Sequence, residues 1–593
     1  MTEKETETAL PLYGEPYCVQ DNRLCLSKAI KRQTIYIPLC NCTPYIASEL
    51  TFFDNGETCH RYRIAGFDYQ GNPLPEVDVP ATELGTLKWM DKVWPAACTK
   101  TAAASVEKHI ECAIKTTGAA AEHRNVYAYT GWTIVDGQYY FLLPGNPDFE
   151  VILHGKQINY GMASSCPADS LQSLFGMLLT DRMPQDVIYP LLALVFLSPL
   201  NEFLRQASYE PKFIFALVGR TGSMKSTLTA LMLSFFGRFT ATDLPMSFQD
   251  TKNSILYNIA VLKDVLTCVD DYHPSTRRDS DDMKKTMQDI ARAVGDRATR
   301  ERMTADIQLR ESPPARGNLI VTAEFPPDIN ESGAARLFFV EMPKNGIDLE
   351  MLSFFQQQAY DGVLTQCMFG HLSWLKSRFL YSEKAVRQFV SALGKQYVSL
   401  RNQWISRLKN NDQAAHKRLP DTLACLSLGF QMMLFFLQGE GILTEENRKA
   451  YLQRFDEILE AHAVKQCAAV QTEKPTVIFV RKLVSMIESG QAVLLDAKRP
   501  GIEIPKSFVG YEDEHFYYLC FEEAHKRVKQ MCDTQNEAFD ISSKALAKQL
   551  AEDGLIEVSG DGKNTRTYRF GNASKRVMFL RKEAVEEIMR TEE

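Results

Sequence analysis

Phe213–Val218 (FIFALV), followed by Gly219-Arg220-Thr221-Gly222-Ser223-Met224-Lys225-Ser226 and an apolar-periodic run to Phe236, decides the reading of the chain. Six apolar residues in a row read as a buried strand. The glycine-containing turn breaks it, and Ser226–Phe236 reads as a helix. The spacing is nearly that of the phosphate-binding loop GxxxxGK[ST], with Met224 standing where the second glycine is usual. The physics suits a nucleoside triphosphate. Backbone N–H groups from Gly219 to Thr227, with a helix N-terminus behind them, make an anion cradle. Lys225 reaches the β- and γ-phosphates, and the Ser226 hydroxyl ligates Mg²⁺. The Met224 side chain has to turn away from the phosphates.

An ATPase of this kind needs a second acidic element. Val265-Leu-Thr-Cys-Val-Asp270-Asp271, about 45 residues after Lys225, reads as a strand ending in two carboxylates. Asp270 is placed to hold Mg²⁺ through water, and Asp271 to act as general base on the attacking water. A third strand, Leu319–Thr322, ends in Thr322-Ala-Glu324, where Thr322 or Glu324 can meet that water or the γ-phosphate. Ser332-Gly-Ala-Ala-Arg336 precedes a fourth apolar run, Leu337–Val340. Arg336 is a candidate finger that completes a neighbouring subunit's site. Arg418, at the head of an apolar helix, is a candidate lid residue over the nucleotide.

Around this centre the chain is long enough for several domains. It has 593 residues, a net charge of −7, 45% hydrophobic and 24% charged residues, an ordinary globular composition. Residues 1–165 read as β-rich, with turn signals at Asp54-Asn55-Gly56, Asp136-Gly137 and Pro144-Gly145-Asn146 and a helix over 102–117. Residues 166–345 form the core with its preceding helices, 346–470 are helical, and 471–593 make a small C-terminal domain. The fold class is therefore multidomain α/β. The N-terminus MTEKETETAL lacks an apolar leader. Val187–Leu200, the longest apolar stretch, falls short of the ~20 residues of a membrane span. The expectation is a cytoplasmic protein without membrane attachment. The 14 scattered cysteines read as reduced thiols; Cys40, Cys42, Cys59 and His60 lack the paired CxxC spacing of strong zinc sites.

The C-terminal domain differs in charge. Ser542–Glu552 reads as a helix and Leu555–Val558 with Arg566–Phe570 as a hairpin. Residues 541–582 carry a net charge of +5. This pattern reads as a winged helix that places Lys544 and Lys548 near a groove of DNA and Lys563 and Arg566 of the wing on the backbone.

The set GRTGSMKST, CVDDYHP, LIVTAE and GAARLFFVE resembles the core of hexameric AAA+ DNA helicases, particularly superfamily 3 and the minichromosome maintenance type. Tyr129-Thr-Gly-Trp132 with Tyr140-Phe-Leu-Leu-Pro144 resembles the domain-of-unknown-function family nine-two-seven, found in replication proteins of mobile elements and similar to cassette-chromosome helicases. The resemblance covers roughly residues 10–345. It implies an AAA+ core, a helical lid, and a homo-oligomeric, hexameric ring on single-stranded or forked DNA. It implies ATP with Mg²⁺ as cofactors, and a channel hairpin whose Arg297, Arg300, Arg302 and Arg310 track phosphates. An ATP-dependent origin remodeller without processive unwinding shares every motif. A non-enzymatic DNA-binding scaffold with a degenerate loop is the reading from another class; phosphate release stimulated by DNA separates it from the other two.

Overall fold

The computed structural model describes residues 12–590 except 31–32, 55–56, 274–276, 298–301, 304–308, 311–313, 328–330, 344–345, 411–416, 473, 499–503, 536–538, 540, 560–561 and 572. The chain divides into two units, one up to His462 and one from Ala463 onward.

The first unit opens with two sheets. Strands Tyr17–Gln20, Arg23–Ile30 and Gln33–Cys40 form an antiparallel sheet. Tyr45–Asp54 and Glu57–Phe67 lie at the centre of a five-stranded mixed sheet. Along Tyr45–Asp54 buried and half-buried residues alternate, so Ile46, Leu50 and Phe52 face inward, the period-two signature of a half-covered strand. Helix Val106–Thr116 packs Ile110 and Ile114 into a core with Trp89 and Trp94. Cys40 and Cys42 are buried, and the Cys40 thiol donates to the Cys42 carbonyl at 3.2 Å. Among the described residues no group of three or more His, Cys, Asp or Glu is placed to hold a metal ion. Strands β1 (Gly131–Val135) and β2 (Gln138–Leu142) pair as a hairpin around Asp136-Gly137. Both turn residues have positive φ, the geometry a tight two-residue hairpin requires.

Helix α1 (Gln185–Leu197) is buried on every side from Val187 onward. With the turns that follow it, the helical stretch reaches Gln206, longer than the apolar run suggested. This stretch and helix α3 (Leu419–Gly439) are long and apolar enough to cross a membrane, but each lies inside the unit, with 100% and 78% of its apolar window buried. They are core helices packed on each other.

The apolar runs form one parallel sheet: β3 (Ile214–Val218), β4 (Leu266–Tyr272), β5 (Asn318–Ala323) and β6 (Leu337–Glu341), in the order β4-β5-β3-β6. Every residue of β3 and β5 is buried, as expected for parallel strands covered on both faces. Helix α2 (Lys225–Leu233) follows β3. The β4–β5 register shifts between Val269 and Tyr272, a bulge that contains Asp270 and Asp271.

The opposite, N-terminal edge of the sheet is closed by a buried polar knot. The Thr130 hydroxyl donates to the Lys263 carbonyl at 2.8 Å, the Trp132 N–H to Asp264 Oδ2 at 3.0 Å, and the Lys263 ammonium to the Trp132 carbonyl. The Trp132 indole N–H reaches Pro199 at 2.8 Å. Gly131 has φ +91°, and a Cβ there would lie 2.5 Å from the Lys263 carbonyl oxygen. Beside the knot, Asn201 donates to the Arg316 carbonyl and to Asn318, and Asn318 to Ser198. The hairpin β1–β2 is thereby fastened to the start of β4.

In the second unit, helices Pro475–Glu488, Phe521–Gln535 and α4 (Ser543–Glu552) cover one core with residues such as Phe479, Val528 and Leu546. Ser542 caps α4 by accepting from the Ala545 N–H. The sequence paired Arg566–Phe570 with Leu555–Val558. The structure instead pairs β7 (Arg566–Phe570) with β8 (Ala573–Arg581), while Ile556 of the expected partner bridges to Leu580 of β8.

Gly131→Ala is expected to destabilise the chain by at least ~2 kcal/mol, read by urea denaturation; an unchanged midpoint overturns the knot's geometry. Burial raises the Asp264 carboxyl from its ordinary 3.8 to about 7. The folded chain then keeps a proton that the unfolded chain releases, so stability is lost as pH rises across that window. In Asp264→Asn the slope of stability against pH between about 4 and 7 is expected to flatten.

Candidate functional site

The C-terminal edge of the parallel sheet gathers the residues singled out in the sequence. Chain leaving β3 turns through 219–224 into α2. The Gly219 N–H binds the Ala323 carbonyl at 3.0 Å, and Met342 N–H binds Val218 at 2.7 Å, so the loop is tied to both neighbouring strands. A Cβ on Gly219 would sit 2.7 Å from the Met342 Cβ, which restricts the position to glycine. The loop and the strand ends enclose a cavity of about 260 Å³ lined by Thr221, Gly222, Met224, Lys225, Ser226, Thr227, Asp271, Thr322, Ala323 and Glu324.

Within it, one carboxylate oxygen organises three elements. Asp270 Oδ1 accepts from the Ser226 hydroxyl at 2.9 Å and from the Thr322 hydroxyl at 2.5 Å. Thr322 Oγ1 in turn accepts the Asp271 N–H at 2.9 Å. The Lys225 ammonium folds back on the loop, donating to the Gly219 carbonyl and to Arg220 O at 3.1 Å. Burial holds its pKa below the ordinary lysine value, against the opposing pull of Glu324, Asp270 and Asp271. Glu324 bonds Thr221 through Oε1 and His273 Nδ1 through Oε2 at 2.6 Å.

Met224 is the N-cap of α2 in the left-handed region, φ +66°. Its side chain is 37% exposed at the cavity rim. A glycine pattern is thus met by a thioether residue that takes the glycine conformation, at a cost of about 1–2 kcal/mol.

The residues suit a magnesium–triphosphate pair. Mg²⁺ is held by one or two protein oxygens together with phosphate oxygens, and Ser226 Oγ and Asp270 Oδ1 are such a pair on one edge. The loop N–H groups and Lys225 supply the positive side.

Several predicted site residues stand elsewhere. Thr322 spends its proton on Asp270 and positions both aspartates. Arg336 is buried, 8% exposed at its side chain, and its Nη2 pairs with Asp296 Oδ1 at 2.5 Å. A guanidinium committed to this internal ion pair is not displayed as a finger. Arg297, expected at DNA, is 7% exposed. It donates to the carbonyls of Pro211 and Ala315 and lies 3.5 Å from Glu210; burial lowers its pKa. Its charge clamps loops of the core. Arg300 lies outside the described residues. Arg302 and Arg310 face each other in a short antiparallel pair, the place where a hairpin was expected. Arg418 caps α3, half-buried and outside the cavity lining. Lys544, Lys548 and Lys563 are exposed in the second unit. Arg566 pairs with Glu557 at 2.7 Å and lies over Phe579. His273, three residues beyond Asp270, was given no role in the sequence although it lies in the CVDDYHP stretch, and its contact with Glu324 appears only in the fold.

No protein-family model matches the chain, and no curated protein matches it in sequence. Among solved structures, the chain is similar to an active helicase, Cch of SCCmec type IV, with a TM-score of 0.58 at 13% identity. The match covers 97% of this chain and 99% of that one. This likeness shows a shared fold along almost the whole chain. Weaker likenesses are to the apo C-terminal region of NrS-1, with a TM-score of 0.27, 11% identity and coverage of 70% and 87%, and to inhibitor-bound JCV helicase, with a TM-score of 0.20, 13% identity and coverage of 44% and 72%.

Met224→Gly, which removes the left-handed strain, is expected to raise stability by about 1 kcal/mol, read by urea denaturation. A fall in the denaturation midpoint would show that the thioether is a packing element instead.

Proposed function

We propose that the chain is an ATP-dependent DNA helicase of the AAA+ type that acts in replication of a mobile genetic element, as a ring on single-stranded or forked DNA. The observation that carries this reading is the convergence of Lys225, Ser226, Asp270 and Thr322 around one cavity at the C-terminal edge of a parallel sheet. The fold shared with a solved active helicase supports it.

In this reading the loop Gly219–Thr227 binds the triphosphate, and Lys225 neutralises the β- and γ-oxygens. Ser226 and Asp270 hold Mg²⁺, which supplies further charge neutralisation when bound. Thr322 orients the acidic pair. Residues 1–165, 166–345, 346–470 and 471–593 serve as N-terminal domain, motor, lid and DNA-binding winged helix. In the last of these, α4 with Lys544 and Lys548, and Lys563 before β7, make the exposed basic surface. Phosphate contacts of this kind weaken with salt.

The non-enzymatic scaffold is favoured by one observation, the strained Met224 in the loop. A single experiment separates the readings. Lys225→Ala is expected to abolish ATP turnover and strand displacement on a forked duplex while leaving DNA binding unchanged. Turnover without displacement in the unchanged chain supports the origin remodeller, and no turnover supports the scaffold.

A further inference from the structure

Three carboxylates face one lysine at the sheet edge, and the fold does not treat them alike. Asp270 already accepts two hydroxyls on a single oxygen. Asp271 follows the expected order of the motif, but its backbone is fixed. Its N–H is held by Thr322, its φ is +66°, and it sits in the β4–β5 bulge. Its carboxylate hangs from that anchored backbone by one methylene. Thr322 has committed its only proton to Asp270, so it cannot donate to a water or a phosphate.

Glu324 lies one residue beyond β5, on the strand between the phosphate-loop strand and the acidic strand. It lines the same cavity as Asp271 and carries one methylene more. Its side chain is 17% exposed, and both oxygens are directed: one to Thr221, the third residue of the loop, the other to His273 at 2.6 Å. Of the three carboxylates, Glu324 contributes most to keeping Lys225 charged, Asp270 next and Asp271 least. Glu324 and Lys225 line the same cavity.

We infer that Glu324, rather than Asp271, is the general base for the attacking water, with His273 as the positioning residue that aims it. The inference rests on the ATP-hydrolysing reading above. In the step, the water oxygen forms a bond to Pγ while the bond from Pγ to the β,γ-bridging oxygen breaks. ADP leaves with that electron pair, and the water proton passes to the Glu324 carboxylate. The longer reach on the neighbouring strand compensates for the short side chain at 271.

The test is steady-state ATP turnover of the full chain, with fluorescent-ATP affinity and thermal midpoint measured alongside. Glu324→Gln is expected to lower kcat by roughly 10²–10⁴-fold, the worth of a general base, with ATP affinity within about threefold. Asp271→Asn is expected to cost less than about tenfold, since that carboxylate takes no proton. His273→Ala is expected to lower kcat with KM unchanged, and His273→Asn, whose amide N–H takes the place of Nδ1–H, to restore most of it. If Glu324→Gln unfolds, Glu324→Asp, which keeps the charge and shortens the reach, is read in its place. A larger loss in Asp271→Asn than in Glu324→Gln overturns the assignment. So does a Glu324→Gln kcat within about tenfold of the unchanged chain. If the unchanged chain shows no turnover, this inference falls together with the reading beneath it. Turnover that is lost in Lys225→Ala but kept in Glu324→Gln overturns the inference alone.

Discussion

A single carboxylate oxygen, Asp270 Oδ1, accepts hydroxyls from the first turn of α2 and from the end of β5. Three elements far apart in sequence are thereby brought to a common point, and the cavity is what remains between them. Hydrogen bonds to a charged acceptor are stronger than neutral ones, and both donors here are half-buried or buried. The arrangement also divides labour. Each hydroxyl given to Asp270 is one fewer group free to meet a ligand, so Thr322 becomes a strut, while Lys225 rests on the loop carbonyls and Glu324 on Thr221 and His273.

The far end of the same sheet is held by different means. Lys263 and Asp264 are both buried, 8% and 1% exposed, and paired at 3.6 Å. Burying such a pair is expensive, and apolar residues of similar volume are often no less stable. What the pair supplies is direction. Its polar groups are satisfied by Thr130 and Trp132, on either side of the closely approached Gly131. The strand that carries Asp270 and Asp271 is therefore gripped at its start by the β1–β2 hairpin and at its end by Ser226 and Thr322.

Much of the site was legible in the chain. Apolar runs of five to seven residues, a glycine turn and Lys-Ser fixed the strand–loop–helix unit, because that chemistry is local. Boundaries shifted by one to three residues; the helix expected over 226–236 runs from Lys225 to Leu233. What could not be read was pairing at a distance. Arginines in the sequence carry no mark of whether they face solvent or a carbonyl. Arg297 and Arg336 looked like ligands for phosphate, but their charge is spent on Pro211, Ala315, Glu210 and Asp296. The Thr-Gly-Trp turn stood out as a motif, yet nothing local announced that its partners lie about 130 residues on. The C-terminal hairpin was misread as well: β7 pairs with the run that directly follows it, β8, and not with 555–558.

Gly131 is confined twice over, by its backbone angle and by the Lys263 carbonyl that fills the space of a side chain. That confinement bears on how such a chain can be shuffled by recombination. A crossover that exchanges everything before about residue 165 would separate the Thr-Gly-Trp turn from the lysine and aspartate it was fitted to, leaving that buried pair to a stranger. Crossovers ahead of Tyr129 would carry the hairpin along with its socket, but would divide the five-stranded sheet, in which Glu150–Val151 pairs with Glu122–Tyr127.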